Sequence, residues 1–236
     1  MEINKIKKEV ENIDGWLFPN EAAFLFTNAK NCKGQGSIVE IGSWKGKSTI
    51  CLAKGSKLQS NSKIYAIDPH KGSPEHGQVW TFDEFKQNIK NAEVEDIVIP
   101  FVKTSEEVSK TFNDPVEFLF IDGLHEYEGV RLDFDLWYPK VMNEGIIAFH
   151  DLRGPFVGPR KVFRNQVCKS RKFKDFGLCE TIGYARKVEK NSFKDILKGR
   201  YILLLTYSFD LGIVLYSFKP LRPFLNFAKR VVEKLQ

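Results

Sequence analysis

The chain has 236 residues, of which 42% are hydrophobic and 28% charged, and its formal net charge is +6 at pH 7. This length and composition suit one globular domain and exclude disordered, collagen-like and low-complexity proteins. The four cysteines lack the spacing of a zinc site or a disulfide framework, and no apolar signal segment opens the chain, which predicts a cytoplasmic protein.

The charge is unevenly distributed along the chain. Residues 1–150 carry 17 Lys and Arg against 23 Asp and Glu, whereas residues 151–236 carry 19 against 7. A basic last third indicates either a solvated basic face or an anionic partner, such as a membrane surface, a phosphorylated or lipid-linked substrate, or RNA.

Short apolar runs alternate with longer helical patterns from residue 37 onward. The predicted strands are Ser37–Ile41, Lys63–Asp68, Ile97–Lys103, Glu117–Asp122 and Gly145–His150, with one or two more within Phe176–Val188. The predicted helices begin near Gly46, Thr81, Ser105 and Tyr127. This alternation predicts an α/β fold with a Rossmann-like, doubly wound, mostly parallel seven-stranded sheet.

Two further segments flank the predicted ligand-binding domain of residues 37–188. Residues 1–36 form an N-terminal helical cover that includes a helix over Asn20–Ala29, entered at Pro19. Residues 189–236 form a C-terminal appendix that is predicted to bind a membrane surface, to make an oligomer contact or to pack on the core.

The appendix contains an apolar run over Tyr201–Phe218 in which Asp210 is the single charge. An acid near the centre of such a run disfavours a bilayer span. Basic and apolar residues then alternate from Lys219 to Val231, a pattern that resembles an amphipathic helix and keeps an anionic membrane surface among the candidate partners.

The most informative stretch runs from Glu40 to Thr49, where a strand, a glycine-bearing turn and a helix start follow one another. Such a turn receives a polar or anionic ligand group. It is one residue shorter than a phosphate loop, and an acid at the strand end suits a ligand with a cationic end. Asp68, which ends the second strand, lies where a ribose is usually held, and Ser105 either meets an adenine or caps its helix.

The fourth and fifth strands both end in ionisable residues. Because the carboxyl ends of parallel strands meet at one edge of a sheet, we expect Asp122, His150 and Asp151 to lie together. Asp122 and Asp151 are predicted either to hold a divalent ion, Mg or Mn, with His150 as a third ligand or behind the ligands, or to act as caps while His150 forms a core hydrogen bond. His150 as a ligand would favour Mn, Fe or Zn over Mg. His125 follows closely and is either a general base near neutral pH or a surface histidine.

These residues resemble those of the class I S-adenosylmethionine-dependent methyltransferases, specifically the small O-methyltransferases similar to catechol O-methyltransferase and to macrocin-type sugar O-methyltransferases. The resemblance is specific from Ser37 to Asp151 and implies that residues 37–188 bind S-adenosylmethionine. By match to the family motifs, the implied cofactor-binding residues are Glu40, Gly42, Ser43, Trp44, Gly46, Ser48, Asp68, Ser105 and Asp122.

The resemblance also implies a reaction, which is methyl transfer to a hydroxyl oxygen. It places Asp122, His150 and Asp151 at metal-ligand positions, although catechol-type members have a carboxylate where His150 stands. The implied catalytic residues are Asp122 and His125, the latter at a position where catechol-type members carry a Lys.

The acceptor is expected to be selected by the loop over Pro69–Gly77, which contains His70 and His76, and by the cover around Trp16 and Phe18. A polar loop with few aromatic residues favours a sugar or glycan, including a lipid-linked saccharide at the inner membrane face.

Three further hypotheses stay open at this point. A nucleic-acid methyltransferase is disfavoured because Asp122 is followed by Gly-Leu-His and not by the Pro-Pro-aromatic run typical of base-amino methyltransferases. A cofactor-binding or scaffold protein at a membrane, without turnover, is compatible with the same fold. Homo-oligomerisation is compatible with either function.

Overall fold

The computed structural model describes residues 2–73 and 77–217, the last six of these without their side chains. The strands are β1 (Ser37–Ile41), β2 (Ile64–Ile67), β3 (Gly72–Ser73), β4 (Gly77–Gln78), β5 (Val98–Phe101), β6 (Val116–Ile121), β7 (Val141–Phe149), β8 (Phe173–Cys179) and β9 (Ile182–Lys187). The α-helices are α1 (Glu2–Glu9), α2 (Pro19–Lys30), α3 (Lys47–Leu58), α4 (Phe82–Asn91), α5 (Ser105–Ser109), α6 (Tyr127–Trp137), α7 (Gly158–Val162) and α8 (Phe193–Ser217).

Seven strands form one sheet in the order β5-β2-β1-β6-β7-β9-β8, and β3 pairs with β4 in a separate small hairpin. All neighbours among β5, β2, β1, β6 and β7 are parallel, whereas β9 runs antiparallel to both β7 and β8. The predicted doubly wound, mostly parallel seven-stranded sheet is therefore confirmed. The segment predicted to hold one or two final strands holds two, and the first of them begins three residues before the predicted start.

The central strands β1 and β6 are buried along their whole length. Helices cover both faces of the sheet, so these strands have no solvent-facing side and consist largely of β-branched, leucine and phenylalanine side chains. The two apolar layers that result hold the carboxyl ends of the parallel strands in register at one edge.

The N-terminal cover consists of two helices. The predicted helix over residues 20–29 is α2, which begins one residue earlier at Pro19 and packs on α3, while α1, which the sequence pattern did not single out, packs on α2. Glu21 lies in the first turn of α2, where its carboxylate accepts a hydrogen bond from the backbone N–H of Phe18 at 2.9 Å. This contact orients the chain that enters the helix.

The appendix contributes one long helix, α8, of 25 residues. Two arginines from the segment before β8 hold it, because Arg160 Nε lies 2.7 Å from one carboxylate oxygen of Asp210 and Arg164 Nη1 lies 2.6 Å from the other. Across residues 2–73 and 77–217, no helix combines the length and apolarity that a membrane crossing requires. The amphipathic pattern predicted from residue 219 onward lies outside the described residues.

Candidate active site

A cavity of about 480 Å³ opens at the carboxyl ends of β1, β2, β6 and β7, where open α/β sheets commonly bind ligands. Predicted site residues that line it are Gly42, Ser43, Trp44, Ser48, Asp68, Ser105, Asp122, His125, His150 and Asp151. The cover contributes Gly15, Trp16 and Leu17, and further lining residues include Lys47, Thr104, Asp133 and Phe156. One edge of the sheet therefore brings together most of the side chains that the sequence singled out.

The floor of this cavity depends on Gly42. Its φ is +86°, and a Cβ at this position would lie 2.1 Å from the carbonyl oxygen of Asp122. The missing side chain lets the ends of β1 and β6 approach, with Asp122 N–H donating to Ile41 O at 2.8 Å. The glycine thus sets the position of the Asp122 carboxylate relative to the turn.

The turn after β1 is braced by Asp68. One oxygen of this carboxylate accepts hydrogen bonds from the backbone N–H groups of Ser43, at 3.0 Å, and Trp44, at 2.8 Å. The other accepts from the N–H of His70 at 2.6 Å. Asp68 follows the end of β2 and lines the cavity, and it also fixes the conformation of the loop beside it.

Two residues of the predicted cofactor set do not line the cavity. Glu40 is fully buried behind the turn, where the hydroxyls of Thr49, at 2.5 Å, and Ser48 donate to its carboxyl group. Burial raises the pKa of Glu40 to about 8, and these hydroxyl donors oppose that shift. Gly46 precedes α3 at φ +90° and permits the sharp turn into that helix.

The adenine side of the predicted pocket contains a carboxylate that the sequence analysis missed. Ser105 donates a hydrogen bond from its hydroxyl to Asp133, which projects from the buried face of α6. Burial raises the pKa of Asp133 to about 6, although the bond from Ser105 acts in the opposite direction. An acid on the apolar face of an amphipathic helix was the available sequence signal.

Three ionisable side chains converge at the other end of the cavity. Asp122, His125 and Asp151 each place one potential ligand atom so that all three atoms lie within 4.8 Å of one another. His125 Nε2 lies 3.1 Å from Asp151 Oδ2, and the imidazole of His125 stacks on Phe156 with ring centroids 4.0 Å apart. Two carboxylates and an imidazole form a donor set that fits a divalent transition metal better than Mg.

The histidine in this set differs from the one in the predicted metal set. His150 is only 4% exposed, and its Nδ1 lies 3.1 Å from both Asp122 Oδ1 and Asp151 Oδ2. Its Nε2 lies 3.2 Å from Glu21 Oε2, across the interface with the N-terminal cover. His150 thus sits behind the two aspartates with both ring nitrogens engaged, while His125 is the imidazole grouped with their oxygens.

The pKa shifts in the cluster agree with these different positions of His125 and His150. Burial alone would lower the pKa of His150, but Asp122, Asp151 and Glu21 outweigh burial and raise this pKa well above its usual value. Burial would raise the pKa of Asp151, yet hydrogen bonds from the two histidines lower it. A protonated His150 offers N–H donors to the two aspartates, so in this state it orients their carboxylates.

Glu21 is the second functional candidate that the sequence analysis missed. It is fully buried, and its other carboxylate oxygen accepts hydrogen bonds from Thr181 N, at 2.8 Å, and Thr181 Oγ1, at 2.6 Å. One side chain therefore links α2, the β8–β9 turn and His150. Its signal in the sequence, a glutamate in the first turn of a helix, indicates only a cap.

The N-terminal cover contacts the turn after β1 and the start of α3 through Lys45 and Lys47. Lys45 Nζ lies 2.9 Å from Asp14 Oδ2, and Lys47 donates to the carbonyl oxygen of Gly15 at 3.2 Å. The rings of Trp16 and Trp44 pack with centroids 5.8 Å apart. Trp16 therefore stands at the cavity wall, whereas Phe18 is not among the residues that line the cavity.

The histidines of the predicted acceptor loop do not both fall within the described structure. His70 is buried and shares a hydrogen bond of 2.9 Å between its Nδ1 and Thr81 Oγ1, so it holds the loop to α4. His76 lies outside the described residues.

Comparison with known proteins agrees with the fold. Residues 39–152 match the family model described as "Methyltransferase domain". A curated relative, the protein R132 of Acanthamoeba polyphaga mimivirus, is 31% identical over 123 residues, which cover 49% of this chain and 51% of the relative. The matched part of the chain spans about half of this relative and 13% of a second curated relative, from Sinorhizobium fredii.

Two solved structures show the same architecture. An O-methyltransferase from Bacillus cereus in complex with SAH superposes with a TM-score of 0.57 at 18% identity, covering 79% of this chain and 89% of that one. The O-methyltransferase TomG from Streptomyces achromogenes, in complex with SAM, gives a TM-score of 0.57 at 14% identity, covering 79% and 88%. Residues 39–152 are therefore a methyltransferase domain, and the chain has the class I S-adenosylmethionine-dependent methyltransferase fold.

Proposed function

We propose that this methyltransferase methylates a hydroxyl oxygen of a small molecule. The observation that carries the proposal is the convergence of Asp122, His125 and Asp151 in the same cavity as the turn after β1. The two O-methyltransferases from Bacillus cereus and Streptomyces achromogenes, which have the same fold, support the oxygen acceptor.

The cavity lining fits S-adenosylmethionine. The hydroxyl of Ser43 is buried and has no hydrogen-bond partner within the part of the chain that the structure describes. Around it lie Ser48, the carboxylate of Asp68 and the Ser105–Asp133 pair, which suit the amino acid, ribose and adenine groups in turn. When bound, the cofactor supplies a sulfonium methyl group to a nucleophile held in line with the sulfur–carbon bond.

A divalent metal ion fits between the side chains of Asp122, His125 and Asp151. When bound, it lowers the pKa of an acceptor hydroxyl. His150 and Glu21 hold the two aspartates in place, and where these two aspartates alone hold the ion, His125 accepts the hydroxyl proton. Phe156 stacks on His125 and restricts its orientation.

For the acceptor we propose a vicinal diol on a sugar or glycan. Two adjacent hydroxyls reach the acid cluster together, and the rings of Trp16 and Phe156 offer aromatic faces to the apolar side of a sugar ring. The same faces suit a catechol, which makes catechol the comparison substrate.

The test measures cofactor binding before turnover. Calorimetric titration of the purified protein with S-adenosylmethionine should give micromolar affinity in the presence and absence of Mg or Mn. Product formation is then followed with methyl-labelled cofactor, sugars and catechols as acceptors, with and without chelation. We expect Asp122→Asn and His125→Ala to lower the rate at least 100-fold, and Asp135→Asn, an exposed acid on α6, to leave it unchanged.

Three results would contradict parts of this proposal. An unchanged rate in Asp122→Asn or His125→Ala would refute the roles assigned to the cluster. A rate that chelation does not alter would refute the metal. Failure to bind the cofactor under all conditions would favour a scaffold protein.

A further inference from the structure

We propose that the outward face of α8 binds the surface of an anionic lipid bilayer, with the helix lying along that surface. The α8 ridge is defined by six exposed large side chains. They are Phe193, Leu197, Tyr201, Leu204, Tyr207 and Leu211, which are 75%, 55%, 60%, 68%, 47% and 58% exposed. This inference concerns a surface away from the catalytic cluster and does not depend on the proposed acceptor.

The ridge occupies one side of the helix. At 100° per residue, its six members fall within an arc of about 120°. The opposite side is committed to the core, because Ile202, Leu203 and Thr206 are buried and Arg164 donates to the hydroxyl and the carbonyl of Thr206. The helix therefore cannot rotate to hide its ridge without breaking these contacts.

The exposed apolar area is large for a helix of this length. A large side chain presents roughly 150–250 Å², so six side chains exposed by half or more leave on the order of 600 Å² of mostly apolar surface. This value lies at the upper end of the patches that monomeric proteins leave exposed, and patches of that size commonly mark an interaction surface.

Positive charge beside the ridge favours an anionic partner. Lys194, Lys198 and Arg200 are exposed on α8 next to it. The acids of the helix are already engaged, since Asp195 accepts hydrogen bonds from Ser192 and Asp210 is paired with two arginines. The outward side of α8 is therefore apolar and positively charged.

The positive charge beside the ridge disfavours two other partners, which are the C-terminal residues 218–236 and a second copy of the chain. Residues 218–236 contain five Lys and Arg and a single acid, so folding them onto the ridge would bring like charges together. A second copy of the chain that docked ridge to ridge would do the same. An anionic lipid surface instead neutralises the lysines, accepts the leucines and phenylalanine, and suits the two tyrosines, whose amphipathic rings favour the membrane–water interface.

The test uses the full chain and co-sedimentation with vesicles of phosphatidylcholine alone or mixed with phosphatidylglycerol. We expect binding only to the anionic vesicles, weakened by salt. The double variant Leu197→Ser/Leu204→Ser and the triple variant Lys194→Gln/Lys198→Gln/Arg200→Gln should each bind at least tenfold more weakly. Matched controls are Leu132→Ser, on the exposed side of α6, and Lys86→Gln, on α4, and neither should alter binding.

The results of these experiments distinguish a lipid surface from a second copy of the chain as the partner of the ridge. The ridge side chains are exposed, so the variants should keep the thermal midpoint and cofactor affinity of the parent protein, and methylation of soluble acceptors should not change. Equal binding to both vesicle types, absence of binding, or binding unaffected by the leucine substitutions would overturn the proposal. A concentration-dependent dimer that Leu197→Ser/Leu204→Ser abolishes would assign the ridge to a second copy instead.

Discussion

Replacement of Gly42 by alanine tests whether close contact between β1 and β6 builds the cavity. Two costs arise at this position. The first is the backbone conformation, since φ is +86° and an L-residue there costs about 1–2 kcal/mol. The second is steric, because the new Cβ would lie 2.1 Å from Asp122 O, whereas a carbon–oxygen contact usually spans about 3.4 Å.

Relief of this clash requires the ends of β1 and β6 to separate by more than about 1 Å. The hydrogen bond from Asp122 N to Ile41 O, now 2.8 Å, would then break at a cost of about 1 kcal/mol, with lost packing added to it. We expect the free energy of unfolding to fall by about 3 kcal/mol or more. The Asp122 carboxylate moves with its backbone, so cofactor affinity should also fall at least tenfold.

Gly154→Ala is the matched control. Gly154 also has a positive φ, +101°, but a Cβ there meets nothing within 4 Å. Both variants carry backbone strain, and only Gly42→Ala carries the clash. Urea unfolding should therefore place Gly42→Ala at least about 2 kcal/mol below Gly154→Ala. If the two variants lose equal stability, or Gly42→Ala keeps the parent cofactor affinity, the close approach of these strands does not shape the site.

Three more predictions concern buried charges. The pKa of Asp133 is raised to about 6 in the fold, so the native state binds its proton more tightly than the unfolded chain, and stability should fall as pH rises from about 4 to 6. Asp133→Asn should abolish this loss of stability, which amounts to at most about 3 kcal/mol, as measured by urea unfolding at several pH values; a loss that persists would contradict the assignment. Asp210→Ala leaves two largely buried arginines without their shared carboxylate and should lower the free energy of unfolding by about 2–3 kcal/mol. The control Asp135→Ala breaks an exposed ion pair and should lower it by less than about 0.5 kcal/mol. Equal losses would show that Asp210 does not anchor α8. Glu21→Gln should lower the pKa of His150, followed by NMR titration, because one of its three carboxylate neighbours loses its charge; an unmoved pKa would show that Glu21 does not act on that imidazole.

The order and type of the main elements followed from the chain alone. A parallel strand buried on both faces is largely apolar, so the positions of Asp122 and Asp151 at the strand ends were visible as breaks in two apolar runs. Because parallel strands end at a common edge, their meeting in one cavity was predictable as well. The cap of α5 lies one residue before the predicted candidate Ser105, because it is the hydroxyl of Thr104 that accepts a hydrogen bond from Glu107 N.

Tertiary structure decided which side chains at that edge face the cavity. Successive residues of a strand point to opposite faces, and Glu40 turns towards α3 and Thr49, although its position in the motif suggested a ligand contact. His125 and His150 were both near enough in sequence to join the two aspartates. The loop that carries His125 brings it to their outer side, whereas His150 is buried beneath them.

Contacts between distant parts of the chain were beyond the reach of local patterns. Glu21 and His150 are separated by 129 positions, and Ser105 and Asp133 by 28, so no periodicity relates the members of either pair. Local patterns also could not identify the outward side of α8, because its apolar residues extend around the whole helix. Its sequence showed that the helix is hydrophobic, but only the packing of Ile202, Leu203 and Thr206 against the core decided which side is left to face outward.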